Sequence, residues 1–123
     1  MKLDILAFGA HPDDVELGCS GTIAKEVSLG KKVGIIDLTR GELGTRGSVE
    51  IRNSESAKAS EILGVSVREN LDMRDGFFVN DEAHQIKVIE MIRKYQPEIV
   101  LCNAITDRHI DHGKGSKLVS DAC

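Results

Sequence analysis

The sequence predicts an α/β fold, a parallel sheet with helices on both faces. Three observations predict it: short, nearly unbroken apolar runs of strand length, stretches of helical period between them, and glycine or proline at the joints. The first run, Ile5 to Ala10, is apolar throughout, as suits a strand buried on both faces of a parallel sheet. It stops at His11-Pro12. From Ser20 to Leu29 the residues Ile23, Ala24 and Val27 recur at helical spacing, and Gly30 supplies the stop. Val33 to Leu38 reads as a second strand of the same kind. After the glycine-rich stretch Arg40 to Gly47, Ser48 is placed to cap a helix over Val49 to Leu63, which Gly64 ends. Val65 to Leu71 is a third, weaker strand. Asn80 or Asp81 can cap the next helix, in which Ile86, Ile89 and Ile92 line one side until Gln96-Pro97 closes it. Ile99 to Cys102 is the fourth strand. Such alternation implies βαβ units wound in the Rossmann-like manner. A further helical pattern opens at Gly115 and runs to Cys123 with no stop signal, so the chain is expected to be a single domain, the amino-terminal part of a larger fold.

With 123 residues, 41% of them hydrophobic, the chain can bury one modest core and not two. Its 16 basic and 20 acidic residues give a net charge of -4, which leaves no broad electrostatic footprint for nucleic acid or an anionic membrane. Asp4 interrupts the early apolar run, and no run approaches the roughly 20 residues needed to cross a bilayer. A cytoplasmic protein is expected. A fold cut short would leave apolar sheet surface uncovered, so association into homo-oligomers is expected too. Cys19, Cys102 and Cys123 form no C-x-x-C pair and are odd in number, which argues against a disulfide framework and a thiolate zinc site.

His11-Pro12-Asp13-Asp14 follows the first strand, at the carboxyl edge where open α/β sheets place their ligands. His11 and Asp14 offer good ligands for Zn²⁺, and Asp13 leaves a second carboxylate beside the metal for proton transfer. Alternatively, the two aspartates cap the next helix. Asp107-Arg108-His109-Ile110-Asp111-His112 follows the fourth strand and reaches the same edge. If it opens a helix, His109 and His112 share a face. One could complete a His, Asp, His ligand set while the other contacts a substrate carbonyl, and Asp111 could orient a histidine through its second ring nitrogen. The same cluster could be an exposed polar helix start. The glycine-rich stretch lacks a closing Gly-Lys-Ser/Thr, so a phosphate loop is disfavoured, and His84 reads as a solvated surface residue.

The stretches AFGAHPDDVELGCSGTIAK, LTRGELGTRGS and DRHIDHGKGSKLV resemble those of the PIG-L/LmbE-like zinc deacetylases, in particular the branch that deacetylates N-acetylglucosaminyl-malate in bacillithiol biosynthesis. The resemblance implies hydrolysis of the N-acetyl group of an N-acetylglucosamine conjugate, with one zinc ion or another divalent metal per chain. It implies that His11, Asp14 and His112 are the metal ligands and Asp13 the general base. It further implies that His109 stabilises the oxyanion or protonates the leaving amine, that Asp111 partners His109, and that Arg52 binds substrate. Ile110 stands where many members have Pro.

Overall fold

The computed structural model describes residues 1–44 and 47–123. Thr45 and Arg46, the part of the glycine-rich stretch between them, lie outside the described residues. Among the described residues four strands alternate with four helices: β1 (Ile5–Gly9), α1 (Asp14–Ser28), β2 (Val33–Thr39), α2 (Val49–Leu63), β3 (Val67–Met73), α3 (Glu82–Tyr95), β4 (Ile99–Leu101) and α4 (Ile110–Ala122). The strands form one parallel sheet in the order β3-β2-β1-β4. β1 therefore lies inside the sheet, in register with β2 from Ile5 opposite Val33 and with β4 from Ile5 opposite Ile99.

Because strand side chains alternate, each apolar run feeds two cores. On one face Leu6, Phe8, Ile36 and Leu38 pack with Val88 and Tyr95 of α3 and Leu118 and Val119 of α4. On the other, Ile5, Ala7, Val33 and Ile35 pack with Val15 and Ile23 of α1, and Leu63 of α2 borders them. Each such side chain taken fully from water contributes roughly 1.5–3 kcal/mol. Gly34 in β2 is required by this packing, since a Cβ there would sit 2.6 Å from Leu3 Cδ1. No helix among the described residues is long and apolar enough to cross a membrane.

The local signals worked where chemistry is explicit. Ser48 Oγ accepts from the Ile51 amide, Gly64 ends α2 with φ 74°, and Asp81 rather than Asn80 caps α3 by accepting from the His84 amide. Four expectations need correction. α1 begins at Asp14, not Ser20, because a first turn precedes a kink at Cys19 (φ -148°, ψ 22°) that breaks the apolar period. β3 runs Val67–Met73, two residues later than read. The buried side of α3 is Val88 and Tyr95 with Met91 and Ile92, a stripe at i, i+3, i+4 and i+7, which leaves Ile86 44% exposed beside it. His84 is half-buried, its ring drawn back onto the capping Asp81 carboxylate.

Candidate metal centre

β1 and β4 lie side by side, and the loops that leave their carboxyl ends meet above the sheet. Gly9 lets the first loop fold closely over β1, because a Cβ there would lie 3.1 Å from Asp14 Cβ and 3.1 Å from Val15 Cγ2. Asn103, just past β4, ties the two together: its Oδ1 accepts from the Ala10 amide at 2.9 Å, and its Nδ2 donates to Asp14 Oδ2 at 3.4 Å.

Asp14 Oδ2 is the point of convergence. It lies 3.5 Å from His11 Nδ1 and 3.2 Å from His112 Nε2. Donor atoms around a tetrahedral zinc with bonds of about 2.0–2.1 Å sit roughly 3.3 Å apart, and each of the two distances to Asp14 Oδ2 is near that spacing. The donor chemistry, two imidazoles and a carboxylate, fits a borderline-soft divalent ion. Each histidine is also held from behind. His11 Nε2 is 2.8 Å from Asp111 Oδ2 and 3.0 Å from Asp75 Oδ1. His112 Nδ1 is 3.0 Å from Asp107 Oδ2, in ion-pair range but out of line for a hydrogen bond. Carboxylates on the outer nitrogens fix ring orientation and raise ligand basicity. His11, His109 and His112 also bring one nitrogen each within 4.8 Å of one another, as do the donors of His11, Asp75 and Asp111.

The electrostatics follow from this crowding. Burial alone would lower the His11 pKa, but hydrogen bonds to Asp14 and Asp111 and the charges of Asp14 and Asp75 push it up to about 9. Burial pulls Asp14 upward, yet its bonds to the His11 ring and amide, with the charge of His112, hold it below the ordinary carboxylate range. Asp111, buried completely, is likewise held low by the His11 ring, the Gly76 amide at 2.9 Å and the Lys114 ammonium against the penalty of burial. Metal binding would thus replace a proton on His11.

Asp13 stands apart from this knot. It adopts the left-handed region at φ 80°, and its side chain is 62% exposed where that of Asp14 is 10%. Partial burial pushes its carboxyl up; the Arg52 guanidinium opposes this, and the Asp14 and Glu16 carboxylates reinforce it. Asp13 makes no side-chain cap bond to α1, and Asp14 accepts from the preceding His11 amide at 3.0 Å, so the pair does not serve as a helix cap.

His109 is the N-cap of α4 and exposed; its Nδ1 accepts from the Asp111 amide at 3.1 Å, which leaves the proton of a neutral ring on Nε2. Its ring stacks on His112 with centroids 5.1 Å apart and meets His11 edge-on at 4.7 Å. The Asp111 carboxylate turns to His11, not to the His109 ring, because Asp111 enters the first turn of α4 facing the core. Arg52 approaches Asp13 to 3.9 Å, but its guanidinium donates to the backbone oxygens of Gly41 at 3.1 Å and Pro12 at 3.0 Å. A Cβ on Gly41 or Gly44 would overlap it at 2.6 or 2.5 Å, so those glycines are shaped around Arg52.

Asp75 is the site residue that the sequence reading missed. It follows β3 and is buried, accepting from the Leu43 amide at 2.8 Å as well as facing His11. The rule that drew attention to the ends of β1 and β4 applies equally there, but Asp75-Gly76 has the look of an ordinary turn.

The chain matches the PIG-L family, GlcNAc-PI de-N-acetylase, over residues 6–123. It is 37% identical over 117 residues to the uncharacterized deacetylase YaiS of Escherichia coli K12, covering 88% of this chain and 61% of that one. The conserved protein TT1542 from Thermus thermophilus superposes with a TM-score of 0.93 at 42% identity, over 98% of this chain and 55% of its own. The 4-carboxy-2-hydroxymuconate hydratase GalB from Pseudomonas putida KT2440 superposes at 0.87 with 30% identity, over 99% of this chain and 55% of its own. The chain thus spans little more than half the length of these three proteins. A match over nearly every residue, on a sheet whose adjacent β1 and β4 ends bring two histidines onto one aspartate, places this chain in the PIG-L family.

Proposed function

We propose that the chain carries the catalytic centre of a zinc-dependent N-deacetylase acting on an N-acetylglucosamine conjugate, with N-acetylglucosaminyl-malate as the first substrate to try. The observation that carries the reading is Asp14 Oδ2 set between His11 Nδ1 and His112 Nε2 while the neighbouring Asp13 carboxylate stays exposed. His11, Asp14 and His112 would hold the metal. Zinc bound there supplies Lewis acidity, polarising the acetyl carbonyl and lowering the pKa of water toward neutrality.

The remaining work falls to this chain's own side chains. Asp13 takes a proton from the attacking water, and its raised pKa makes it a better base than an ordinary aspartate. His109 donates a hydrogen bond from Nε2 to the developing oxyanion, and the proton that Asp13 took from water passes to the departing nitrogen. Asp111 and Asp75 hold His11 in one tautomer. Arg52 shapes the floor beside Asp13, and in this reading contacts the sugar conjugate from that position. The products are acetate and a free amine.

The test is acetate release from a panel of N-acetylglucosamine conjugates, the malate included, with chelation and zinc restoration. Turnover that is indifferent to chelation, or absent on every conjugate, would sink the proposal. A second reading is favoured by the likeness to GalB at 30% identity: addition of water to a carbon–carbon double bond of a conjugated dienoic acid at the same site. Loss of diene absorbance without any acetate release from the sugars would favour it.

A further inference from the structure

The turn that bears Asp13 and Asp14 is not positioned by its own helix. α1 breaks at Cys19, so Asp14 to Gly18 form a single turn with its own direction, and isolated turns are marginal. Within it Val15 reaches the core, while Leu17 is 83% exposed. Besides the bonds of Asp14 to the His11 amide and Asn103, the turn is anchored through Glu16. Its two oxygens receive Arg68 Nη1 at 3.1 Å and Nη2 at 3.2 Å. Arg68, on β3, turns its other edge to Asp37 of β2, with Nε at 2.8 Å and Nη2 at 2.9 Å from that carboxylate. Nη1 also reaches Ser60 Oγ of α2 at 3.4 Å.

All three charged side chains are shielded: Arg68 is 10% exposed, Asp37 4% and Glu16 18%. A planar guanidinium held on two edges fixes direction as well as distance, which a point charge does not. Two carboxylates around one guanidinium are a poor choice for stability, where apolar packing serves better. The arrangement gains in placement instead. It spans α1, β2, β3 and α2 and ends two residues from Asp14.

We propose that Glu16, Arg68 and Asp37 form a positioning clamp that sets the Asp13–Asp14 turn over the carboxyl edge of the sheet, and thereby sets turnover without touching substrate. The proposal rests on the reading of the site as a metal-dependent deacetylase. Misplacement by an ångström at a reacting centre can cost roughly 10²-fold in rate.

The experiment compares the full chain with Glu16→Gln, Arg68→Lys and the double variant, using Co²⁺ as the metal probe and acetate release for kinetics, well below each melting midpoint. Arg68→Lys, which keeps the charge and gives up the fork, covers the case in which Glu16→Gln does not fold. Each single variant is expected to lose at least about tenfold in kcat with KM changed less than about threefold, and to shift the visible Co²⁺ absorption. The double variant should lose no more than the worse single one, because both break one device. Unchanged kcat and Co²⁺ spectrum in the folded variants would overturn the clamp, even with a lowered melting point, as would losses that multiply in the double variant. A parent chain that binds Co²⁺ but releases no acetate would fail the deacetylase reading and leave the clamp to be decided by the Co²⁺ spectrum. One that binds no Co²⁺ would overturn both.

Discussion

The loop after β1 and the loop after β4 contribute to the same centre but are built by opposite means. Between Ala10 and Asp14 the chain is pressed against its own strand, with His11 buried and bonds to Asn103, Asp111 and Arg52 on every side. Between Ala104 and Ile110 every residue is exposed, and the chain returns to the core only at Asp111. The difference separates two demands on the proposed hydrolytic site. Ligands need a fixed geometry, which burial and multiple bonds provide. A group that donates a hydrogen bond to substrate, as proposed for His109, needs access, which an exposed cap position provides.

The largest effect should test whether the two loops share one metal. Asp14→Ala and His112→Ala are each expected to lose most bound zinc and essentially all turnover, whereas His84→Ala should lose neither; elemental analysis with acetate release reads this out. Retention of a full equivalent of zinc by either would split the centre in two. Next comes the exposed carboxylate. Asp13→Ala should keep about one equivalent of zinc yet lose roughly 10²–10⁴-fold in turnover. Loss of its metal would instead move Asp13 into the ligand set. His109→Ala should also keep zinc and lose about 10²–10³-fold in kcat, the usual cost of one oxyanion donor.

A pH experiment sharpens the buried side. Because the folded-state pKa of His11 is raised from 6.5 to about 9, its contribution to the stability of the metal-free chain is fully present below pH 6.5 and lost as pH rises through 9. Melting points of the chelated protein should fall across that window, and zinc affinity should rise across it as the competing proton leaves. A flat profile for both would mean that His11 titrates normally. The smallest effects compare the ground beneath each loop. Gly9→Ala places a Cβ against Asp14 and Val15 and should destabilise by about 1–3 kcal/mol. Gly113→Ala would set a Cβ 2.9 Å from the Ile105 carbonyl oxygen, a backbone atom that must shift, so denaturant unfolding should register a loss of at least similar size, about 1–3 kcal/mol.

The sequence made the sheet legible because Ile5 to Ala10 and Val33 to Leu38 could hardly be anything but buried parallel strands. It pointed to His11, Asp14 and His112 because the carboxyl ends of strands are where such chemistry accumulates, and the structure sets Asp14 Oδ2 3.5 Å from His11 and 3.2 Å from His112. What it hid depends on contacts distant in the chain. Asp75 acquires meaning only when β3 and β1 share a sheet, and Asp111 chooses His11 over His109 only because α4 turns it inward. The first turn of α1 was hidden by Cys19, whose non-helical backbone interrupts the very periodicity used to find helices.

His11 and Asp111 are 100 positions apart, and the bond between them joins nearly the two ends of the described chain. During synthesis at roughly 5–20 residues per second, the first imidazole leaves the ribosome several seconds before the carboxylate that will steady it and the second imidazole that will share its metal. Strand β4 must also insert beside β1 before either can arrive, a closure that is slow because the loop entropy is spent before any contact repays it. In the nascent chain the first loop is therefore a lone histidine and aspartate, too few donors to hold an ion firmly. If the centre holds a metal as proposed, loading has to wait until β4 has brought the second loop beside the first.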